Sequence, residues 1–285
     1  MPCPMPPLLH GGRRARRQHP GGDIKEPGDT LRIGFIGTGS IASAMVEGFC
    51  TSALPCRILV SPRNERRALD LAGRFAQVRR AGSNQEVLDG CDLAVLAVRP
   101  AAAAEVLEKL SFREDHTVLS LIPTLRLQEL SALAPRAFRA LPLPTVARHL
   151  GLVPYLPADD RMAAILAHLG GPLAMRDERE LHLLWAATGL ISPFFALMAA
   201  VQGWCVAEGA DPETSRRYTA SMYAALAALA EQHPGVSFQE LAREAATPGG
   251  LNEMAAAMAE AGSTYLDVAR SLDAIRARLG EPPLS

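Results

Sequence analysis

Residues 31–42 read Leu-Arg-Ile-Gly-Phe-Ile-Gly37-Thr38-Gly39-Ser40-Ile41-Ala42, an apolar strand running into a glycine-rich turn and then a helix. Three of these positions each meet a physical need. Gly37 permits the tight turn. Gly39 removes the side chain where backbone would meet a pyrophosphate, and Ala42 lets the new helix pack closely on the strand. The helix N-terminus, with Thr38, Ser40 and Ile41 around it, then aims its N–H groups at phosphate oxygens. Gly-x-Gly-x-x-Ala alone is a common pattern. A strand before it, a helix over about 41–50 and a second strand after it make it a dinucleotide fingerprint.

That second strand, Arg57-Ile-Leu-Val-Ser61, ends where an acid would bind the ribose 2′-hydroxyl of NAD. No acid stands there. The chain reads Ser61-Pro62-Arg63-Asn64, with Arg66 and Arg67 close behind. A hydroxyl, an amide and a guanidinium suit a 2′-phosphate, which arginine grips bidentately. Arginines at a helix start also sit poorly with its dipole unless an anion is present. The expected cofactor is therefore NADP, with Ser61, Arg63 and Asn64 at its 2′ end.

Composition narrows the class. At 285 residues the chain has room for two domains, and 48% hydrophobic with 21% charged residues is ordinary for a globular protein. A net charge of -1 argues against a nucleic-acid partner. The five cysteines form no Cys-x-x-Cys pair and read as reduced thiols of a cytoplasmic protein. The seven histidines show no metal-binding spacing, so no metal is expected. Residues 1–29 are rich in Pro, Gly and Arg, carry no apolar core of a secretory signal, and read as a flexible tail. Leu183 to Ala207 lacks any charge and is long enough to span a bilayer. Gly189, Ser192-Pro193, Gln202 and Gly203 interrupt it, so it reads as two segments buried at the centre of an oligomer, and no membrane partner is expected.

From 31 to about 145, short apolar strands alternate with helices, which predicts an α/β, doubly wound parallel-sheet (Rossmann) domain over 30–155. The loop Ala97-Val98-Arg99-Pro100 follows the strand at 92–98 and is placed to border the nicotinamide half of the cofactor. Arg99 is equally readable as an exposed loop residue. Beyond about 155 the strands are expected to stop, leaving an all-helical dimerisation and substrate domain over 156–285. Asp211-Pro212-Glu213 supplies a helix start, and Thr247-Pro248-Gly249-Gly250 breaks the chain before the next helix.

These residues resemble the pyrroline-5-carboxylate reductase family over about 31–279. Ile33–Ala42 resembles the family's opening strand and turn, Ala97–Pro100 its Ala-Val-Lys-Pro loop, and Thr247–Gly250 its Ser-Pro-Gly-Gly turn. The resemblance implies a homodimer, or an assembly of dimers, with the active site shared between subunits. It also implies NAD(P)H-dependent reduction of a cyclic imine to proline, with NADPH favoured by the Ser61–Asn64 turn. On the substrate side the chain departs from the pattern. The family's two small residues after Gly-Gly are here Leu251 and Asn252. Its Met-Pro-Asn-Thr-Pro segment is Leu141-Pro142-Leu143-Pro144-Thr145, which puts Leu143 in place of the Asn near the nicotinamide. Its Ser-Gly-Ser-Gly-Pro turn becomes Thr188 to Pro193, and its Ala-Ala-Gly becomes Ile122-Pro123-Thr124.

Asn252 and Thr247 are the catalytic candidates. Asn252 either bonds an imine nitrogen or bonds its own backbone at the helix start. Thr247 either caps that helix or meets a substrate carboxylate. Leu143 and Leu251 favour a bulkier imine than pyrroline-5-carboxylate. Two other readings remain open at this level. One is a 3-hydroxyacid dehydrogenase-like carbonyl reductase, which would want a lysine in the helical domain, where none occurs between 160 and 285. The other is a catalytically weakened, NADPH-binding member of the family.

Overall fold

A computed structural model describes residues 30–280; the expected tail over 1–29 lies outside the described residues. The first part alternates strand and helix: β1 (Leu31–Ile36), α1 (Ser40–Thr51), β2 (Cys56–Val60), α2 (Glu65–Arg74), β3 (Val78–Arg80), α3 (Asn84–Asp89), β4 (Leu93–Leu96), α4 (Pro100–Leu107), β5 (Thr117–Ser120), α5 (Leu127–Leu133) and β6 (Arg136–Ala140). A short 3-10 turn, Pro144–Arg148, leads to β7 (Leu152–Leu156), α6 (Asp160–Leu166) and β8 (Gly171–Ala174). From there the chain is helical: α7 (Glu178–Ala187), a single 3-10 turn (Thr188–Leu190), α8 (Ile191–Ala207), α9 (Pro212–Gln232), α10 (Phe238–Ala245), α11 (Leu251–Ala261) and α12 (Thr264–Arg278).

The strands form one sheet in the order β3-β2-β1-β4-β5-β6-β7-β8. All neighbours are parallel except β6 and β7, which pair antiparallel through Arg139 with Leu156 and Ala140 with Tyr155. The order reverses direction between β1 and β4, which opens a crevice at the carboxyl ends of those strands.

Both sheet faces are covered, as an inner parallel strand requires. On one face Ile33, Phe35, Met45, Phe49, Ile58 and Leu166 share a buried cluster; on the other Ile36, Val87, Leu88, Leu96, Val118 and Leu130 share a second. A third, smaller cluster (Leu141, Leu156, Met175, Leu181 and Trp185) joins the sheet to α7.

The sheet continues past residue 155, which corrects the expectation that strands stop there. β7 and β8 extend it, and α6 sends Met162, Ile165 and Leu166 into the sheet's own core rather than into a separate helical body. The helical part begins at Glu178. β3 was also unforeseen, because three residues, two of them arginines, carry no apolar alternation.

Of the described cysteines, Cys56 and Cys91 are buried, while Cys50 and Cys205 are half-buried. Burial pushes the Cys50 and Cys91 thiols up to about 12 and raises Cys56 as well. His116 is fully buried and its Nδ1 accepts from the Arg113 N–H at 3.0 Å, an arrangement that needs the neutral ring. Burial first, then the nearby Arg113 charge, lowers its pKa. The unfolded chain therefore binds a proton that the folded one refuses, and stability falls as pH drops below about 6.5. Urea denaturation midpoints between about pH 7 and pH 5 are expected to decline in the wild type, and to decline less in His116→Phe.

Candidate active site

The glycine turn has the predicted geometry. Gly37 adopts φ +102°, and a Cβ there would lie 2.6 Å from the Ala97 carbonyl oxygen. Only glycine fits, because the turn is pressed against the Ala97–Val98 backbone of the neighbouring loop. Gly39 is different: a Cβ built there meets nothing within 4 Å, so the space above it is open. Gly39 is also the N-cap of α1 with no capping side chain, and no acid occupies the first turn. The free N–H groups around Ser40, Ile41 and Ala42 therefore face that space with a favourable dipole for an anion. This donor set and open cradle fit a pyrophosphate. Ala42 is buried in the core below, as close packing of α1 on β1 requires.

Ser61 and Asn64 hold the turn from beneath. The Ser61 Oγ accepts from the Gly37 N–H at 2.9 Å, and the Thr38 hydroxyl donates to the Ser61 carbonyl at 3.0 Å. Both Thr38 and Ser61 are buried. The Asn64 amide donates to the Thr38 carbonyl at 3.1 Å, and its oxygen caps α2 by accepting from Arg67 N–H. Of the three residues expected at the 2′ end, Ser61 is thus spent on the turn, Asn64 is largely so, and Arg63 stands exposed on the surface. Ser61, the first member of the hydroxyl–amide pattern, thus lies under the turn and bonds the protein itself.

A cleft of about 410 Å³ runs from this turn to the helical part. Its cofactor end comprises Gly39 to Ala42 and Ala97 to Pro100. Pro100 opens α4 at the position where its missing N–H costs nothing, and Arg99 precedes it in extended backbone. The far end is walled by Leu141, Pro142, Leu143, Pro144, Trp185 and Ile191. The two ends share one cavity, so both loops singled out in the sequence meet in space.

Sequence reasoning missed the polar support of the far wall. Arg139 on β6 is fully buried, and its guanidinium lies 4.8 Å from the Trp185 ring centroid. Its Nη1 pairs with Glu178 and approaches His182 Nε2 at 3.0 Å, while its Nη2 donates to the Pro123 carbonyl at 2.7 Å. Glu178 also accepts from the Leu127 N–H at 2.8 Å. One carboxylate therefore ties β6, α5 and the start of α7 together. Desolvation lowers the Arg139 pKa, opposed by Glu178. The sequence signal was an arginine set between apolar residues, Phe138-Arg139-Ala140-Leu141.

The two catalytic candidates do not line this chain's own cleft. Thr247 is not the cap of α11: that place belongs to Gly250, and no side chain caps it. The expected cap is corrected, since the Thr247 hydroxyl instead folds over Gly250, 2.4 Å from where a Cβ would stand. Asn252 donates to the Ala245 carbonyl at the end of α10, at 3.0 Å, rather than to backbone at its own helix start, and its amide oxygen has no partner among the described residues. Thr247, Asn252 and Leu251 are all exposed, Leu251 at 82%.

The helices around them bury little in a single chain. Phe195, Trp204, Tyr218, Met254 and Met258 are exposed, and α8 has no buried residue at all. α7, the intervening turn and α8 make a 30-residue helical run long and apolar enough to cross a membrane by length and composition. Its α7 portion is packed on the third core cluster through Leu181 and Trp185.

A pyrophosphate cradle at the switch point of a doubly wound sheet, followed by helices with uncovered apolar faces, defines a nucleotide-dependent oxidoreductase that self-associates. Comparison with known proteins agrees. Residues 32–123 match the family model "NADP oxidoreductase coenzyme F420-dependent", and residues 178–281 match "Pyrroline-5-carboxylate reductase dimerisation". A pyrroline-5-carboxylate reductase of Pseudomonas aeruginosa is 27% identical over 268 residues, covering 88% of this chain and 97% of the relative. The reductase structure from Streptococcus pyogenes superposes with a TM-score of 0.77 at 18% identity, covering 88% of this chain and 98% of that one. That from Plasmodium falciparum, with NADP bound, gives 0.75 at 16% identity, over 87% and 97%. The chain is thus similar to pyrroline-5-carboxylate reductases along most of its length, in fold and in its helical dimerisation segment.

Proposed function

We propose that the protein is an NADPH-dependent reductase of cyclic imines, with pyrroline-5-carboxylate or a bulkier relative as the acceptor. The observation that carries this reading is the single cleft joining the open Gly39 cradle to the wall at Leu141–Pro144 and Trp185. The bound nicotinamide supplies a hydride. The protein's own work is to bind, orient and exclude water. The α1 N-terminus holds the pyrophosphate, Arg63 grips the 2′-phosphate, and the Ala97–Pro100 loop sets the nicotinamide against the far wall. A protonated imine is already electrophilic at carbon, so no strong acid is needed in the site.

The working unit is a homodimer in which α11 of one subunit closes the cleft of the other. Exposed apolar side chains on α8, α9 and α11 support this arrangement, and burial of such faces between two copies is the usual outcome. Asn252 would then offer its free amide oxygen to the iminium N–H, and Thr247 its hydroxyl to the substrate's other end. Unpaired thiols at Cys50, Cys56, Cys91 and Cys205 fit a cytoplasmic setting.

The test is NADPH consumption, followed by absorbance, with 1-pyrroline-5-carboxylate and 2-methyl-1-pyrroline as acceptors. Turnover of at least one is expected, faster with NADPH than with NADH. Arg63→Ala is expected to narrow that preference by about tenfold, the scale of one phosphate contact. Bound NADPH with no turnover of any imine would favour the weakened, binding-only reading.

A further inference from the structure

We propose that Arg139 is a positioning residue for the reaction: from behind the cleft, its guanidinium fixes Pro123 and Trp185 against each other. This rests on the imine-reductase reading above. Pro123 and Trp185 both line the cleft, but they come from separate parts of the chain, the loop after β5 and the helix α7. Arg139, on β6, touches both. Its Nη2 donates to the Pro123 carbonyl at 2.7 Å, and its Cζ lies 4.8 Å from the centroid of the Trp185 ring.

The contact with α7 is broad because of residue spacing. Glu178, His182 and Trp185 stand four and then three residues apart, so they share one face of the helix. That face meets the guanidinium through the Glu178 carboxylate, the His182 Nε2 at 3.0 Å and the Trp185 ring. A guanidinium is planar and rigid, so bonds made by its two nitrogens fix direction as well as distance. With one nitrogen on Pro123 and the other on α7, the separation of the two walls follows from the shape of one group. These contacts lie within one subunit and Arg139 is fully buried, so they do not depend on what a second copy adds to the cleft.

Stability alone is a poor reason for this arginine. Burial disfavours its charge, and its Nε has no hydrogen-bond partner among the described residues. An apolar residue of similar volume is often as good or better in such a place. What an apolar side chain cannot do is hold a carbonyl and an aromatic ring in fixed relation. The protein's part in this reaction is mainly alignment of nicotinamide and imine, where a displacement of about 1 Å costs up to about 100-fold in rate.

The experiment uses the full chain with NADPH and either 2-methyl-1-pyrroline or 1-pyrroline-5-carboxylate, whichever the wild type reduces faster. It compares kcat, KM, NADPH affinity and melting temperature for Arg139→Met, Trp185→Leu and the double variant. Arg139→Met is expected to fold, to bind NADPH within about twofold of wild type, and to lose about tenfold or more in kcat/KM. The double variant is expected to lose little beyond the worse single one, since residues that act through one contact are not additive. Should Arg139→Met fold poorly, Arg139→Lys takes its place. Lysine keeps a charge for Glu178 without the planar fork, so stability is expected to return while turnover is not. Wild-type kcat/KM in a folded Arg139 variant overturns the proposal, as do losses that simply multiply in the double variant. A wild type that binds NADPH and reduces neither imine overturns the reductase reading first, and the proposal with it.

Discussion

Glu178→Ala is expected to lower the free energy of unfolding by about 3–5 kcal/mol, a large loss for a residue that reaches the surface. The carboxylate is one-quarter exposed while its partner Arg139 is wholly buried. Deleting Glu178 strands a guanidinium in the core whose Nε already lacks a hydrogen-bond partner, and it frees the Leu127 N–H at the start of α5. Arg139→Met removes the charge along with its need for a partner, and is expected to cost much less, since an apolar group of similar length fills the space behind Trp185. Urea denaturation of both variants at one fixed protein concentration checks the asymmetry, since any self-association makes stability depend on concentration. Equal losses, or a Glu178→Ala loss below about 1 kcal/mol, would mean that the pair is not the joint between sheet and helices.

Gly39→Val is expected to weaken NADPH binding by about 100-fold or more, close to 2.7 kcal/mol, while thermal stability changes little. Space explains both halves of this expectation. A Cβ at residue 39 touches nothing in the protein, and the backbone there, at φ −82°, suits any residue. Losing a glycine N-cap for valine costs under about 1 kcal/mol. The added methyl groups fill the open region over the free N–H groups of α1, where the pyrophosphate must approach. Gly37→Ala gives the opposite pattern, because its positive φ and the Ala97 carbonyl at 2.6 Å penalise the fold itself. Fluorescence titration with NADPH beside a thermal melt separates the two: one variant folds and does not bind, the other melts early.

The dinucleotide half was legible in the sequence because its constraints are local. Gly37, Gly39 and Ala42 each answer a backbone requirement that a few neighbouring residues fix, and Ala97–Pro100 follows a strand long enough to place it. Helix starts were equally legible where a cap announced them, as at Asp211, which accepts from the Thr214 N–H at 2.8 Å. β7 and β8 were not, because Leu-Val-Pro-Tyr-Leu and Gly-Pro-Leu-Ala carry prolines that read as turns. Their strand state comes from pairing with β6 and with each other, which no short window contains. Ser61 was expected to face the ligand, since the sequence cannot show that the Gly37 N–H would claim its hydroxyl. The Arg139–Glu178–Trp185 joint was invisible for the same reason: Arg139 and Glu178 lie 39 residues apart along the chain and meet only across the fold.

Thr247 and Asn252 were found by resemblance, and the single chain leaves them on its outer face. Their geometry becomes functional only if a second copy supplies the cleft, so the apolar faces of α8 and α11 and the exposed Thr247–Asn252 turn are parts of one question. Mutual burial of these surfaces would account for a helical segment that is otherwise too apolar for water.

The most direct test of the account follows the hydride itself. NADPH carrying deuterium on the reactive face of the nicotinamide is incubated with the protein and a cyclic imine, and the amine product is weighed by mass spectrometry. The account predicts stoichiometric transfer of deuterium to the former imine carbon, with product formation strongly reduced in Gly39→Val at NADPH concentrations that saturate the wild type. Product without deuterium, or NADPH bound tightly with no amine formed from any imine, would contradict it.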